Sequence, residues 1–265
     1  MTIKVIVHGA MGKMGKEVVN AVCRDPEVKL VGAVDLNLAQ DFLILPNGID
    51  KVPLSSNIEA IINSQKPDVM IDFTLPAGSL PAIRLAAGKK VHIVTGTTGF
   101  SPADFIEIEK LAETNHIGII WASNYALGAV LMIHLAKMTA PFFDYAEITE
   151  LHHHQKADAP SGTALITARE MAKKRGKPFV IPSDKDITMK SRGEQVEGVA
   201  IHSVRLPGLN AHQEVIFGTA GQTLKIRHDA INRECYMPGV LLAVKAVMQR
   251  PGFTNGLAPI LGLKD

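Results

Sequence analysis

The chain has 265 residues, 46% hydrophobic and 20% charged, enough for one large or two small domains with proper cores. Its 28 Lys and Arg nearly balance 26 Asp and Glu; a net charge of +2 draws neither nucleic acid nor a membrane surface and leaves a small molecule as the expected partner. Two distant cysteines, Cys23 and Cys235, argue against a disulfide framework, and with no signal-peptide pattern and no membrane-length apolar run the expected compartment is the cytoplasm.

Ile3–His8 is a β-branched apolar run, and Lys13–Arg24 carries Met14, Val18, Val19 and Val22 at helical spacing. Residues 30–34 predict a strand, 58–64 a helix, 69–73 a strand, 80–87 a helix ending at Gly88, and 91–94 a strand. Ser101-Pro102 opens the next helix as cap and first-turn proline, and Gly118–Trp121 predicts one more strand. This alternation predicts βαβ units on a parallel sheet. Beyond Ser123-Asn124-Tyr125 the rhythm changes: a helix over 127–140, a strand over 145–154, a helix over 161–175, mostly strand from 187 to 229, and a helix over 233–249. The expected fold class is α/β, an N-terminal Rossmann-like doubly wound parallel sheet with a C-terminal α+β domain built on a mixed sheet. The expected domains are dinucleotide-binding over 1–125 and substrate-binding over 126–232, with the C-terminal helix of 233–265 packing back on the first.

Gly9-Ala-Met-Gly12-Lys-Met-Gly15 lies between the first strand and the first helix. A pyrophosphate needs free N–H groups at a helix start and no Cβ where it approaches. The GxxGxxG spacing is a weak motif, but Asp35 ends the second strand about 20 residues later, where a carboxylate takes ribose hydroxyls. The alternative is a glycine turn in some other α/β protein. Asp35 is followed by Leu36-Asn37 with no cation for a 2′-phosphate, so NADH is expected to serve at least as well as NADPH; Lys13 leaves dual use open. Gly96-Thr97-Thr98-Gly99 and Ala122-Ser-Asn-Tyr125 follow later strands and suit the nicotinamide side, although each taken singly is more often a turn.

Glu150-Leu-His152-His153-His154-Gln-Lys156-Ala-Asp158-Ala-Pro-Ser161-Gly162-Thr163-Ala runs from a strand through a loop into a capped helix. Free N–H groups at that helix start, with Lys156, suit a carboxylate, and His side chains pass protons near neutrality. A metal site competes, yet alternate strand residues face opposite ways and at most His152 and His154 share one ion; a solvated polar loop is the other alternative.

This segment resembles the signature of the dihydrodipicolinate reductase (4-hydroxy-tetrahydrodipicolinate reductase) family, E-x-H-H-x-x-K-x-D-x-P-S-G-T-A. Val7-His8-Gly9-Ala-Met-Gly-Lys-Met-Gly15, Asp72-Phe73-Thr74, Gly96-Thr97-Thr98-Gly99, Ser123-Asn124-Tyr125 and Ser203-Val-Arg205-Leu-Pro-Gly208 follow in the family's order, so the likeness spans the chain. The resemblance implies reduction of a cyclic dicarboxylate to tetrahydrodipicolinate with NADH or NADPH, in lysine biosynthesis by the diaminopimelate route. It also implies a homotetramer assembled through the C-terminal domains, with no metal, nucleic acid or membrane partner. It places His152 as the acid/base histidine and Lys156 as the proton-donating lysine. His153, Gly162 and Thr163 fall on substrate-carboxylate contacts. Cofactor contacts fall on Gly9, Ala10, Met11, Gly12, Lys13, Met14, Asp35, Gly96, Thr97, Thr98, Ala122, Ser123, Asn124 and Tyr125. Gln155 departs from the basic residue many relatives carry, which bears on carboxylate affinity. Two other readings compete: another dehydrogenase of amino-acid precursors, of the aspartate or homoserine type, and a non-catalytic NADH sensor. The sensor leaves the proton-transfer groups without a task, and no cysteine sits in a nucleophile context for an acyl-enzyme.

Overall fold

Strand β1 (Ile3–His8) has Val5, Ile6 and Val7 at zero exposure, as a central parallel strand covered on both faces requires. In the computed structural model residues 2–36, 38–182 and 191–263 are described; Asn37 and the first part of the strand pattern from 187 lie outside them. Helix α1 (Lys13–Arg24) buries Gly15, Val18, Val19 and Val22, and β2 (Val28–Val34) follows. A short antiparallel pair, β3 (Phe42–Ile44) and β4 (Lys51–Ser55), was not legible in the pattern: the strands are three and five residues long, and β4 contains Pro53. Next come α2 (Ile58–Gln65), β5 (Val69–Asp72), α3 (Pro76–Gly88), β6 (His92–Thr95), α4 (Pro102–Asn115) and β7 (Gly118–Trp121). Helix α3 starts at Pro76, four residues before the expected start, because first-turn N–H groups need no intrahelical partner and Pro76 costs nothing there. At α4, Ser101 and Asp104 form a reciprocal capping box.

Helix α5 (Leu127–Thr139) leads to β8 (Tyr145–His152), which ends two residues before the expected limit so that His153 and His154 stand in a turn closed by Lys156 N–H to the His153 carbonyl. Helix α6 (Gly162–Arg175) is capped by the Ser161 hydroxyl, which accepts from the Ala164 N–H, and stops at Gly176 in the left-handed region. Strands β9 (Glu194–Val196), β10 (Val199–Arg205), β11 (Ala211–Thr219) and β12 (Gln222–Ala230) complete a five-stranded sheet in the order β12-β11-β8-β10-β9, with only β8 and β10 parallel. Ala136, Ala164, Ala168 and Met171 pack on Ile148, Ile201, Val215 and Phe217 to give this sheet its own core.

The expected helix over 233–249 is a 3-10 turn, Arg233–Tyr236, followed by α7 (Met237–Val247), which packs on α1, β6 and β7. Strand β13 (Gly252–Asn255) then pairs parallel to β7. The larger sheet runs β13-β7-β6-β5-β1-β2-β4-β3, parallel except at β3/β4. The chain divides into unit 1, Met1–Leu127 with Arg233–Asp265, and unit 2, Gly128–Asn232. In unit 1 the chain turns from building outward through β2 to building through β5 on the other side of β1, and open sheets bind ligands beyond that switch point.

Candidate active site

At the switch point, Gly9 has φ +84°, and its N–H, with that of Ala10, donates to the Val34 carbonyl. The Met11 N–H donates to Asp35 Oδ2 at 2.8 Å, so Asp35 fastens the glycine loop to the end of β2. Helix α1 begins at Gly12 without a side-chain cap, and among the described residues no protein group accepts from the N–H of Lys13, Met14 or Gly15. A Cβ on Gly15 would stand 2.0 Å from the Gly9 carbonyl oxygen, whereas one on Gly12 would meet only that oxygen, at 3.2 Å. Gly15 therefore closes the helix onto the loop, and Gly12 faces open space in front of free N–H groups, which is the cradle a pyrophosphate requires. Beside it lies a cavity of about 780 Å³ lined by Asp35, Leu36, Ile58, Thr74, Leu75 and Pro81 among others, with no Lys or Arg among the described residues of its lining. Leu36 and Leu75 are 86% and 75% exposed, apolar surface left open where an adenine ring would cover it. These residues fit a dinucleotide.

Asp72, at the end of β5, is fully buried and was given no role by sequence reasoning. It accepts from the hydroxyls of Thr74 (2.8 Å), Ser79 (2.5 Å), Thr95 (2.7 Å) and Thr97 (2.8 Å). His8 Nδ1 stands 2.8 Å from Asp72 Oδ1 but off the N–H direction, an electrostatic contact rather than an aligned hydrogen bond. Burial pushes the Asp72 carboxyl up, and His8 with the Ser79 and Thr95 hydroxyls more than reverses this, holding it below the usual carboxylate range. One carboxylate thus ties together the ends of β1, β5 and β6. Two predicted cofactor residues spend their side chains inward: Thr97 on Asp72, and Tyr125, which donates to the Thr95 carbonyl at 2.8 Å and packs edge-on to Phe73. Trp121 Nε1 donates to the Thr97 carbonyl at 2.7 Å, so this loop is braced from both sides. Ala10 and Ala122 are also buried; Gly12, Lys13, Thr98 and Ser123 are exposed, and Gly9, Met11, Met14, Asp35, Gly96 and Asn124 are half-buried.

In unit 2, alternation along β8 puts Glu150 and His152 on one face. Glu150 is fully buried and receives His152 Nδ1 at 2.5 Å, the Ser161 N–H at 3.2 Å, and Arg205 through Nη1 (2.8 Å) and Nη2 (2.7 Å). Burial pushes its carboxyl up, but His152, Arg205 and Ser203 outweigh that and hold it at about 2. A carboxylate ionised at every working pH only accepts, so His152 Nδ1 carries the proton and Nε2 is the nitrogen left for chemistry. Lys156 Nζ donates to Asp158 Oδ1 at 2.6 Å, which holds the Asp158 carboxyl low. Ser161 caps only Ala164; among the described residues nothing accepts from the N–H of Gly162 or Thr163, and a Cβ on Gly162 would meet nothing within 4 Å. His153 stands half-buried at the turn and His154 is exposed. Among the described residues no three His, Cys, Asp or Glu side chains group to hold a metal ion. Sequence reasoning missed the work of Glu150 and Arg205; the signal was an acidic residue two positions from His on one strand face.

The N-terminal dihydrodipicolinate reductase model matches residues 3–125, and the C-terminal one residues 128–261. The chain belongs to the dihydrodipicolinate reductase family. The chain of this reductase is 53% identical over 261 residues to a 4-hydroxy-tetrahydrodipicolinate reductase of Dehalococcoides mccartyi, covering 98% of this chain and 99% of that one. It is 45% identical over 263 residues to the enzyme of that name from Bacillus subtilis, covering 98% of each. A solved dipicolinate-bound dihydrodipicolinate reductase from Paenisporosarcina sp. TG-14 superposes with a TM-score of 0.87 at 40% identity, over 98% of this chain and all of that one. An amine dehydrogenase from Mycobacterium smegmatis, 17% identical with a TM-score of 0.67 over 96% and 95% of the chains, shares the fold alone. The reductase is thus an NAD(P)H-dependent oxidoreductase of the lysine and diaminopimelate route. Among its described residues no helix is long and apolar enough to cross a membrane.

Proposed function

We propose that this reductase converts 4-hydroxy-tetrahydrodipicolinate or dihydrodipicolinate to tetrahydrodipicolinate with the residues described above: unit 1 holds NADH or NADPH, and unit 2 holds the ring dicarboxylate and supplies the proton. The cofactor, when bound, supplies a hydride to an unsaturated ring carbon. The uncapped N–H groups of Lys13, Met14 and Gly15 take its pyrophosphate, and the Asp35 carboxylate takes ribose hydroxyls, which favours NADH at least as much as NADPH because it repels a 2′-phosphate. The Gly162 and Thr163 N–H groups, with His153 and Lys156, take the substrate carboxylates. His152 or Lys156 then protonates the carbon that gains negative charge; Glu150 leaves Nε2 of His152 available for this. The observation that carries the reading is the Glu150–His152 contact beside a helix start whose Gly162 and Thr163 N–H groups have no acceptor among the described residues. A homotetramer assembled through unit 2 and a cytoplasmic location complete the proposal; half-exposed Glu147, Thr149, Leu151, Glu214 and Ile216 on the sheet of unit 2 offer surface for assembly.

The test follows NADH oxidation by absorbance with freshly generated product of the preceding condensation. His152→Gln is expected to lower kcat by about 10²–10⁴-fold with NADH affinity unchanged. Equal loss of NADH affinity would overturn the division of labour between the units, and tight NADH binding without turnover in the wild type would favour the sensor reading.

A further inference from the structure

Arg205 is the last residue of β10, and the parallel register of β10 with β8 sets it directly across from His152. Its Nη1 and Nη2 make a fork onto the two oxygens of Glu150, at 2.8 and 2.7 Å. The same Nη2 donates to the Asp158 backbone carbonyl at 2.7 Å. Glu150 in turn holds Nδ1 of His152, and the Asp158 carboxylate holds Nζ of Lys156. A single guanidinium therefore contacts the two residues that hold the two acid/base side chains. Arg205 is largely buried; Nη1 also donates to the neighbouring Val204 carbonyl at 2.8 Å, and among the described residues Nε has no partner, so the fork is held on Glu150 and Asp158 even though one donor is left unsatisfied.

We propose that Arg205 is the positioning residue that couples the two acid/base groups: it orients the Glu150 carboxylate so that His152 presents Nε2, and it fastens the loop carrying Lys156 to the end of β10. The proposal rests on the reading of His152 and Lys156 given above. A lysine cannot take the place of this arginine, because a point charge cannot bind two carboxylate oxygens and a carbonyl in one plane. A merely structural ion pair predicts something else: Arg205→Lys would lose stability and nothing further.

The test uses the full-length chain, pairing turnover with long-range ¹H–¹⁵N correlation spectra of the His152 ring. In the wild type the neutral ring is expected as the Nδ1–H form. In Arg205→Lys the Nε2–H form is expected to appear alongside it, with kcat lowered about 10- to 100-fold, part of the range for general acid–base catalysis, and the NADH KM within about 2-fold. Combining Arg205→Lys with Glu150→Gln is expected to cost little beyond the larger single loss, since both act on one path. The proposal is overturned if wild-type His152 is the Nε2–H form, a measurement that needs no variant to fold. It is equally overturned if Arg205→Lys keeps the wild-type tautomer, or if the double loss is multiplicative. A tautomer change with undiminished turnover would sustain the coupling through Arg205 and sink the acid/base role of His152 instead.

Discussion

Two glycines three residues apart in sequence, Gly12 and Gly15, separate ligand approach from packing in unit 1. In Gly15→Ala the new methyl would stand 2.0 Å from the Gly9 carbonyl oxygen and 2.7 Å from Ala10 Cα, both backbone atoms that cannot swing aside. Ordinary contact lies near 3.5–4 Å, so loop and helix must part by more than about 1 Å. Overpacking costs about 1–3 kcal/mol, and loss of the Met11 to Asp35 hydrogen bond adds about 1 kcal/mol. In Gly12→Ala the only neighbour is the Gly9 oxygen at 3.2 Å, a clash relieved by a few tenths of an ångström, and exchanging a glycine cap for alanine costs under about 1 kcal/mol. Its methyl, however, occupies the approach to the free N–H groups. Urea unfolding and NADH fluorescence titration read the two effects separately. Gly15→Ala should lose about 2–4 kcal/mol of stability. Gly12→Ala should stay close to wild type in stability while losing about 10- to 100-fold in NADH affinity, or about 1.4–2.7 kcal/mol. Wild-type NADH binding by Gly12→Ala would show that the pyrophosphate does not pass there, and an undamaged Gly15→Ala would refute the steric argument.

Glu150 makes stability depend on acid. Its carboxyl is held at about 2, below an unfolded value near 4.5, so its contribution is complete above the unfolded value and drains away as pH falls toward 2; at neutral pH it is worth up to about 3 kcal/mol. Urea midpoints measured from pH 6 to pH 3 should fall in the wild type, and a Glu150→Gln profile with the same slope would refute the assignment. Asp72→Leu leaves four hydroxyls without their acceptor and His8 without its opposite charge, and should cost about 3–5 kcal/mol, read as a large loss of Tm; a loss under about 1 kcal/mol would mean the network is incidental. Asp35→Ser removes the carboxylate that repels a 2′-phosphate. The ratio of kcat/KM for NADPH over NADH should rise about 10-fold, and an unchanged ratio would move cofactor choice elsewhere.

What the sequence makes legible is what neighbouring residues settle among themselves. β1, the glycine loop and α1 are written as a β-branched run, three glycines and an amphipathic period, and the Ser161 cap of α6 needs only its own first turn. Strands β3, β9 and β13 are three or four residues long, too short to carry a period of their own; β3 and β9 are held by the strand that follows each, whereas β13 follows a proline and would have no reason to be extended without the distant β7. The active site divides along the same line. His152, Lys156, Gly162 and Thr163 share one segment and can be recognised together. Arg205 is brought to Glu150 across 55 residues by the parallel pairing of β8 and β10, and nothing within either segment announces that the other carries its partner. The same holds for Asp72, whose donors come from a helix start and two further strand or loop positions. A charged group that must leave water needs partners on several sides, and a single stretch of chain can supply only some of them. The residues proposed to touch ligand are therefore the readable part of such a site, and the ionised groups that contact them become visible only once the sheets are assembled.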